Sequence, residues 1–296
     1  MKKVLVLGGG GFLGKNICNQ LIKKKYLVTI FQRKRPVNLI SKLKFKSIDL
    51  TNKSICLKQI KNFDYVINSA TILKGNNQKK IFLDNFKIFY YPFISCIQNK
   101  IKNYIFISSN NVVDNNNFIK ITSNRRYINI LNGYTLSKIF SEIFINQYLK
   151  KQNKIIIKII RPSNLYGSGQ NSGAIYYILK KLIFSKGKIV KLNLNPYSLR
   201  NFSHVEDCAN CIIKLIKIKK NIVCNISNDK IYEIKKIAEI CRHILNKNIQ
   251  IKYNNKKNFS KKLFKTNNLR RILKWKDKYN LTTGIKQLLN DFKINK

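Results

Sequence analysis

A doubly wound α/β fold, with a parallel sheet covered by helices on both faces and a smaller α/β lobe toward the C-terminus, is predicted by three observations. Short apolar runs alternate with helix-length segments through the first half of the chain. A string of glycines follows the first of those runs directly. After about residue 165 the alternation breaks into shorter strand-like pieces mixed with helical stretches.

The strand candidates are Val4 to Leu7, Val28 to Phe31, Phe45 to Ile48, Tyr65 to Ile67, Tyr104 to Ile107 and Ile155 to Ile160. Most are brief and rich in Ile, Val and Leu, as strands with both faces buried must be. Segments near 12 to 24, 76 to 99 and 134 to 151 carry apolar residues at three- and four-residue spacing and are long enough for crossover helices. Further helical stretches lie near 174 to 185, 206 to 218 and 234 to 246, and there is no internal repeat. The expected division is a sheet domain over 1–165, with strand and helix contributions from later segments, and a second lobe over 166–296. No Pro/Gly/Ser-rich linker separates them, so one compact body is expected.

Composition narrows the function classes. The 296 residues carry 59 Lys+Arg against 12 Asp+Glu, a formal net charge of +47. With 44% hydrophobic and 11% aromatic residues, a disordered polycation is excluded. The charge invites a nucleic-acid or anionic-membrane partner. Yet Lys, Asn and Ile crowd every part of the chain, and the Lys are scattered rather than gathered in one stripe. Compositional bias therefore accounts for the charge better than a nucleic-acid footprint does.

The longest apolar stretches, such as KIIIKII and YLVTIF, fall far short of the roughly 18 residues of a bilayer span, so no membrane insertion is expected. The start MKKVLVLGGGGFLG imitates a leader, but glycines interrupt it and no small-x-small cleavage pattern precedes Lys15. It is better taken as a first strand. Seven cysteines, without a framework, fit a reducing cytoplasm. Cys208 and Cys211 form a lone CxxC within the helical EDCANCIIKLIK, with no second pair to complete four zinc ligands.

The strongest single feature is GGGGFLG at 8 to 14, between the first strand and the first helix. This is the strand–turn–helix setting of a Rossmann dinucleotide site. Gly8, Gly11 and Gly14 permit a tight turn, close approach of phosphates to backbone N–H groups, and close helix-to-strand packing. The candidate cofactor residues here are Gly8, Gly11, Phe12, Leu13 and Gly14, with the pyrophosphate at the helix N-terminus. At the end of the second strand, where an acid commonly binds the adenosine ribose of NAD, stand Gln32 and Arg33, followed by Lys34 and Arg35. An amide and three cations admit a 2′-phosphate, so NAD and NADP both stay open.

Tyr134 and Lys138 form Y-x-x-x-K, which on a helix places phenol and ammonium on one face, so that the cation can lower the Tyr pKa for proton transfer. The spacing alone is uninformative, because five of the 15 tyrosines have Lys four residues later. Context singles out Tyr134. It lies in GYTLSKIFSE, opening a long helix after a strand whose end carries Ser108 and Ser109, and ligands bind at the strand ends of such sheets.

With these residues assembled, the chain resembles the extended short-chain dehydrogenase/reductase family, the NAD-dependent epimerase/dehydratase group acting on nucleotide sugars. The resemblance runs through IDL at 48 to 50, DYVINSA at 64 to 70, Asn85, FISSNNVV at 106 to 113 and GYTLSK at 133 to 138. It continues through RPSNLYGSGQ at 161 to 170, RNFSHVED at 200 to 207 and LKWKDKYNLTTGI at 273 to 285.

The resemblance implies that Tyr134 is the general acid/base, that Ser109 shares a hydrogen bond with the substrate oxygen, and that Lys138 holds the nicotinamide ribose. Asp49 and Leu50 would flank the adenine, Ala70, Thr71 and Asn85 would line the cofactor channel, and Asn164 and Arg200 would hold the pyrophosphate of a sugar nucleotide in a substrate-binding second lobe. His204 is more simply a structural histidine. The family's dehydratases place an Asp-Glu pair where this chain has Asn110-Asn111. Amides cannot supply acid/base carboxylates, so dehydration is disfavoured. Asn68 stands in place of the family's usual His, and Gln32 in place of its usual Asp.

The function implied is 4-epimerisation of a UDP-hexose through a transient 4-keto intermediate, in a cytoplasmic pathway, by a homodimer formed through the two long helices of the first lobe. The first alternative is an NADPH-dependent 4-ketosugar reductase, supported by the basic run after Gln32. A non-catalytic dinucleotide-fold protein that binds RNA or a protein partner is the third reading. The intact Ser109, Tyr134 and Lys138 oppose it.

Overall fold

The computed structural model describes residues 1–36, 41–113, 132–152, 154–254, 261–262 and 269–294. The chain alternates β1 (Lys3–Leu7), α1 (Phe12–Lys23), β2 (Leu27–Gln32), β3 (Leu43–Ser47), α2 (Lys53–Gln59), β4 (Tyr65–Asn68), α3 (Gln78–Gln98), β5 (Asn103–Ile107), α4 (Gly133–Lys151) and β6 (Ile156–Pro162). There follow β7 (Asn164–Tyr166), α5 (Ala174–Ile183), β8 (Ile189–Leu192), β9 (Leu199–His204), α6 (Val205–Ile216), β10 (Ile222–Ile226), β11 (Ile231–Glu233) and α7 (Ile234–Ile244). The last elements are β12 (Gln250–Tyr253), β13 (Lys261–Lys262), α8 (Leu269–Leu273) and α9 (Leu281–Ile294).

Two compact units result. The first comprises residues 1–161 and 212–224, and the second residues 162–211 and 225–296. The first unit thus reclaims a late segment, which supplies the end of α6 and the start of β10.

The first unit carries a seven-stranded sheet in the order β10-β6-β5-β4-β1-β2-β3. β1 pairs in parallel with β2 on one side and β4 on the other, so the strand order reverses at β1. Ligands of open α/β sheets bind outside the carboxyl ends of the strands at such a reversal. The glycine string follows β1 and the adjacent serines follow β5, which puts both at that edge. One face of the sheet packs Leu5, Phe106 and Ile157 against Phe89 and Phe93 of α3 and Ile145 of α4. Phe93 meets Phe89 at 5.5 Å and Tyr104 at 5.2 Å between ring centroids, spacings at which aromatic pairs attract.

Three local features position the site. Pro92 lies inside α3 and has no N–H for the carbonyl four residues back, that of Ile88. The Asn68 amide, at the end of β4, donates to that carbonyl at 2.9 Å and to the Tyr104 hydroxyl at 2.9 Å. Asn68 is 1% exposed, and it repairs a break in the α3 hydrogen-bond ladder. Gly133 opens α4 where a Cβ would stand 2.1 Å from the Gln78 carbonyl oxygen, so only glycine lets α4 start this close to the first residue of α3. Asn132 caps α4 through its side chain, which accepts from the Thr135 N–H at 2.9 Å.

Periodicity did not predict α2. Its seven residues contain one buried side chain, Cys56, and the helix is started by Asn52, whose side chain accepts from the Ile55 N–H at 3.0 Å. A cap and a short length leave no periodic signature.

In the second unit, β9 pairs with β7, β11 and β13, and β8 pairs in parallel with β12. Its core gathers Ile175, Ile178 and Leu182 of α5, Ile237 and Cys241 of α7, and Ile285 and Leu288 of α9. No described helix is long and apolar enough to cross a membrane.

Candidate active site

The glycine turn is shaped by absent side chains. Gly8 has φ of +72°, and a Cβ there would stand 2.7 Å from Ala70 Cα. A Cβ on Gly14 would stand 2.2 Å from the Gly8 carbonyl oxygen, which the Gly11 N–H already engages at 3.0 Å. Gly11 is the N-cap of α1, no side chain caps that helix, and its first turn holds no acidic residue. The positive end of α1, at Phe12, Leu13 and Gly14, therefore meets no capping side chain or acid of its own helix and is suited to an anion. These residues fit a dinucleotide pyrophosphate.

Gln32 is committed within the protein. Its Oε1 accepts from the Gly10 N–H at 2.7 Å and its Nε2 donates to the Lys34 carbonyl at 2.6 Å. The amide at the end of β2 thus braces the glycine turn. Arg33 beside it is exposed. Asp49 is also exposed, accepts from the Thr51 N–H at 2.9 Å and hydroxyl at 2.8 Å, and is held below the usual carboxylate range first by that backbone N–H. Leu50 next to it is buried. Asn85 of α3 orders the segment after β4. Its Oδ1 accepts from the Thr71 hydroxyl at 3.1 Å and the Ile72 N–H at 2.7 Å, and its Nδ2 donates to the Ile72 carbonyl at 2.8 Å. Ala70 stands in the same segment, its N–H donating to Asn68 Oδ1 at 3.2 Å.

Ser109, Tyr134 and Lys138 come together where β5 ends and α4 begins. Burial raises the Tyr134 phenol above its ordinary value, and a hydrogen bond with the Ser109 hydroxyl opposes that rise. The Asn111 N–H donates to Ser109 Oγ at 3.2 Å, fixing the turn that follows the strand. Lys138 is 5% exposed. Its Nζ donates to the Ile107 carbonyl at 2.8 Å and lies 4.6 Å from the Phe106 ring centroid and 5.8 Å from that of Tyr134. Burial brings this ammonium down to about 7, with the Glu142 carboxylate acting the other way.

Sequence reasoning missed Glu142 and Arg161 as members of this cluster. Glu142, on α4, accepts from the Ser108 hydroxyl and from Arg161 of β6 through Nε, at 3.0 and 3.1 Å, and through Nη2. A signal was present. Glu142 is the one acid among the 19 residues of α4, in a chain with only 12 Asp+Glu, and it stands four residues after Lys138.

The second unit holds the two residues expected at a sugar nucleotide's pyrophosphate. Asn164 on β7 donates through Nδ2 to the Asn201 carbonyl at 3.0 Å. Arg200 on β9 is partly buried, and its Nη1 donates to the Leu199 carbonyl at 3.3 Å. His204 is stacked on Tyr279 at 3.8 Å between centroids, with Tyr166 edge-on at 5.3 Å. Burial pulls its imidazole down to about 4. It is a neutral ring packed between aromatics, the structural role expected of it. Cys208 and Cys211 are buried on α6 and form no disulfide.

Comparison with known proteins follows the same lines. The profile of the NAD dependent epimerase/dehydratase family matches residues 4–227. A protein provisionally named UDP-glucose 4-epimerase, from Methanocaldococcus jannaschii, is 26% identical over 306 residues, covering 99% of each chain. The GDP-6-deoxy-D-talose 4-dehydrogenase of Aggregatibacter actinomycetemcomitans is 27% identical over 258 residues, 85% of this chain and 83% of that one. The UDP-glucose 4-epimerase of Bifidobacterium longum, solved in complex with NAD+ and UDP, superposes with a TM-score of 0.84 over 99% of each chain at 20% identity. That last likeness is one of fold.

Proposed function

The chain belongs to the NAD dependent epimerase/dehydratase family, and from that premise we propose that it is a nucleotide-sugar 4-epimerase acting on a UDP-hexose through a transient 4-keto sugar. The observation that carries this reading is the cluster at the end of β5. There a buried phenol is hydrogen-bonded to a serine hydroxyl beside a buried ammonium, and Asn110 and Asn111 follow in place of carboxylates. Such a set can move a proton to and from a sugar hydroxyl. It offers no paired carboxylates for eliminating water.

Gly8, Gly11, Phe12, Leu13 and Gly14 would hold a nicotinamide dinucleotide, which would supply the acceptor and donor of hydride. Tyr134 would take the C4 hydroxyl proton as the sugar is oxidised to the 4-keto form and would return it as that ketone is reduced on its other face, so no net oxidation results. Ser109 holds the C4 oxygen and the phenol on one hydrogen-bonded line. Lys138 presents its charge to the Tyr134 ring and lowers the cost of the tyrosinate. Asn164 and Arg200 are assigned to the substrate pyrophosphate, for which a guanidinium is suited. The UDP-sugar and NAD+ named for the relatives support this choice of substrate and cofactor.

A homodimer through α3 and α4 belongs to the same reading. Leu83, Phe140 and Ile143 on these helices are 43%, 47% and 52% exposed. Light scattering at twice the chain mass is the expected result.

One specific feature favours a second reading, a 4-ketosugar reductase using NADPH. β2 ends without a ribose-binding carboxylate, and Arg33, Lys34 and Arg35 follow it. Denaturing the purified protein and identifying the released nucleotide separates the two. Retained NAD and interconversion of UDP-hexoses without added NADPH support the epimerase. An empty protein that consumes NADPH with a 4-ketosugar establishes the reductase instead.

A further inference from the structure

Three polar groups beside the reacting residues have no part in the proton transfer just described: Ser108, Glu142 and Arg161. Glu142 is 5% exposed and Ser108 3% exposed. A carboxylate is costly to bury unless its oxygens are filled, and here the Arg161 fork and the Ser108 hydroxyl fill them. Lys138 Nζ, also on α4, donates to the Ile107 carbonyl at 2.8 Å, and on the sheet side the Ser108 N–H donates to the Ile160 carbonyl at 2.7 Å. The two residues that precede Ser109 are thus gripped from α4 at two points one helical turn apart, by Lys138 and by Glu142.

We infer that Glu142 is a positioning residue: through Ser108 it fixes the end of β5 that carries Ser109, and as an anion one turn from Lys138 it keeps that side chain a cation. The inference rests on the proposed role of Ser109, Tyr134 and Lys138. Among the described residues, the titratable and charged groups around Lys138 are Tyr134 and Glu142 on α4 and Arg161 of β6, which meets it through Glu142. Cys224 of β10 stands near Arg161. Burial opposes the charge on Lys138, and Glu142 is the neighbour that favours it.

The test is a titration of Lys138 in protein labelled at the lysine ε-carbon with carbon-13. The resonance is assigned by its loss in Lys138→Arg, and in the wild type its midpoint is expected near pH 7. In Glu142→Gln the midpoint falls by about one pH unit or more, and kcat falls at least about tenfold with KM changed by less than about twofold, as expected when an interaction made in the transition state is lost. Ser108→Ala, which leaves the ion pair intact, lowers kcat without moving the Lys138 midpoint.

An unmoved midpoint in Glu142→Gln, accompanied only by a lower Tm, overturns the electrostatic role. Wild-type kcat in Ser108→Ala overturns the positioning role, even if Glu142→Gln does not fold. A wild-type protein without turnover defeats the proposed function instead, and the lysine titration still decides the electrostatic role because it needs no substrate.

Discussion

The two units of this protein bury ionisable groups to different ends. In the first, Lys138, Glu142 and Arg161 are tied to one another and to the end of β5, and a phenol with a perturbed proton affinity stands beside them. In the second, three carboxylates hold distant chain. Asp207 accepts from the Lys278 and Tyr279 N–H groups at 2.9 and 3.0 Å, and Glu206 from the Tyr279 hydroxyl and the Gln287 amide at 3.1 and 2.8 Å. Asp291 accepts from the Ser168 hydroxyl at 2.8 Å and the Gly169 N–H at 2.7 Å. On the proposed function, burial of charge serves chemistry in one unit, and in the other it clamps the C-terminal segment. Ion pairing alone does not separate the units, since Asp277 of the second pairs with Arg270 at 2.8 Å. The distinction is that Glu142 and Arg161 meet at the strand end that carries Ser109, whereas Glu206, Asp207 and Asp291 hold N–H groups, hydroxyls and an amide of distant chain.

The contrast is broken most directly by Tyr134→Phe. Turnover is expected to fall about 10³-fold, or about 4 kcal/mol of barrier, while Tm changes little, because the ring and its packing remain. An equal loss of stability and rate would make Tyr134 a packing residue.

Lys158 tests whether every buried charge in the first unit serves chemistry. It is fully buried on β6, its Nζ has no hydrogen-bond partner among the described residues, and burial pulls its ammonium down to about 8. A lysine whose folded-state affinity for the proton is depressed costs stability below that value, and the cost vanishes as pH rises through the unfolded value near 10.5. Lys158→Met is therefore expected to stabilise the protein by about 3 kcal/mol at pH 7. Urea titrations should show that gain shrinking toward pH 10, with turnover unaffected.

Asp207→Ala sharpens the other side. It strips two N–H groups of their acceptor at a position 2% exposed, and a loss of about 2 kcal/mol in urea unfolding is expected. Turnover per folded molecule should hold. A selective loss of rate at unchanged stability would erase the distinction between the units.

The smallest effect expected is that of Gln32→Ala. Removing its bond to the Gly10 N–H loosens the glycine turn and weakens NAD binding about fivefold, roughly 1 kcal/mol, as calorimetry would read. Unchanged affinity would show that the turn holds its shape without the brace.

The central strands were legible because burial on both faces produces uninterrupted apolar runs, and their limits match the structure to within a residue or two at each end. The glycine turn was legible for a related reason. A backbone that passes within 2.2 Å of a would-be Cβ can be built only with glycine. The Tyr134 and Lys138 pair became legible only through its context, since its spacing recurs by chance in so lysine-rich a chain. The repair of Pro92 by Asn68 was not legible at all. It joins β4 to a carbonyl 20 residues away, and nothing local reports that an amide in a strand will serve a helix.

The sequence by itself determined the first six sheet strands with the long helices between them, the glycine turn and the family, because those depend on short-range patterns of apolar and glycine residues. Only the tertiary structure decided what Gln32, Asn68, Glu142 and Arg161 bind. A polar side chain is satisfied by whatever donor or acceptor the fold brings to it, and here those partners lie up to 36 positions along the chain.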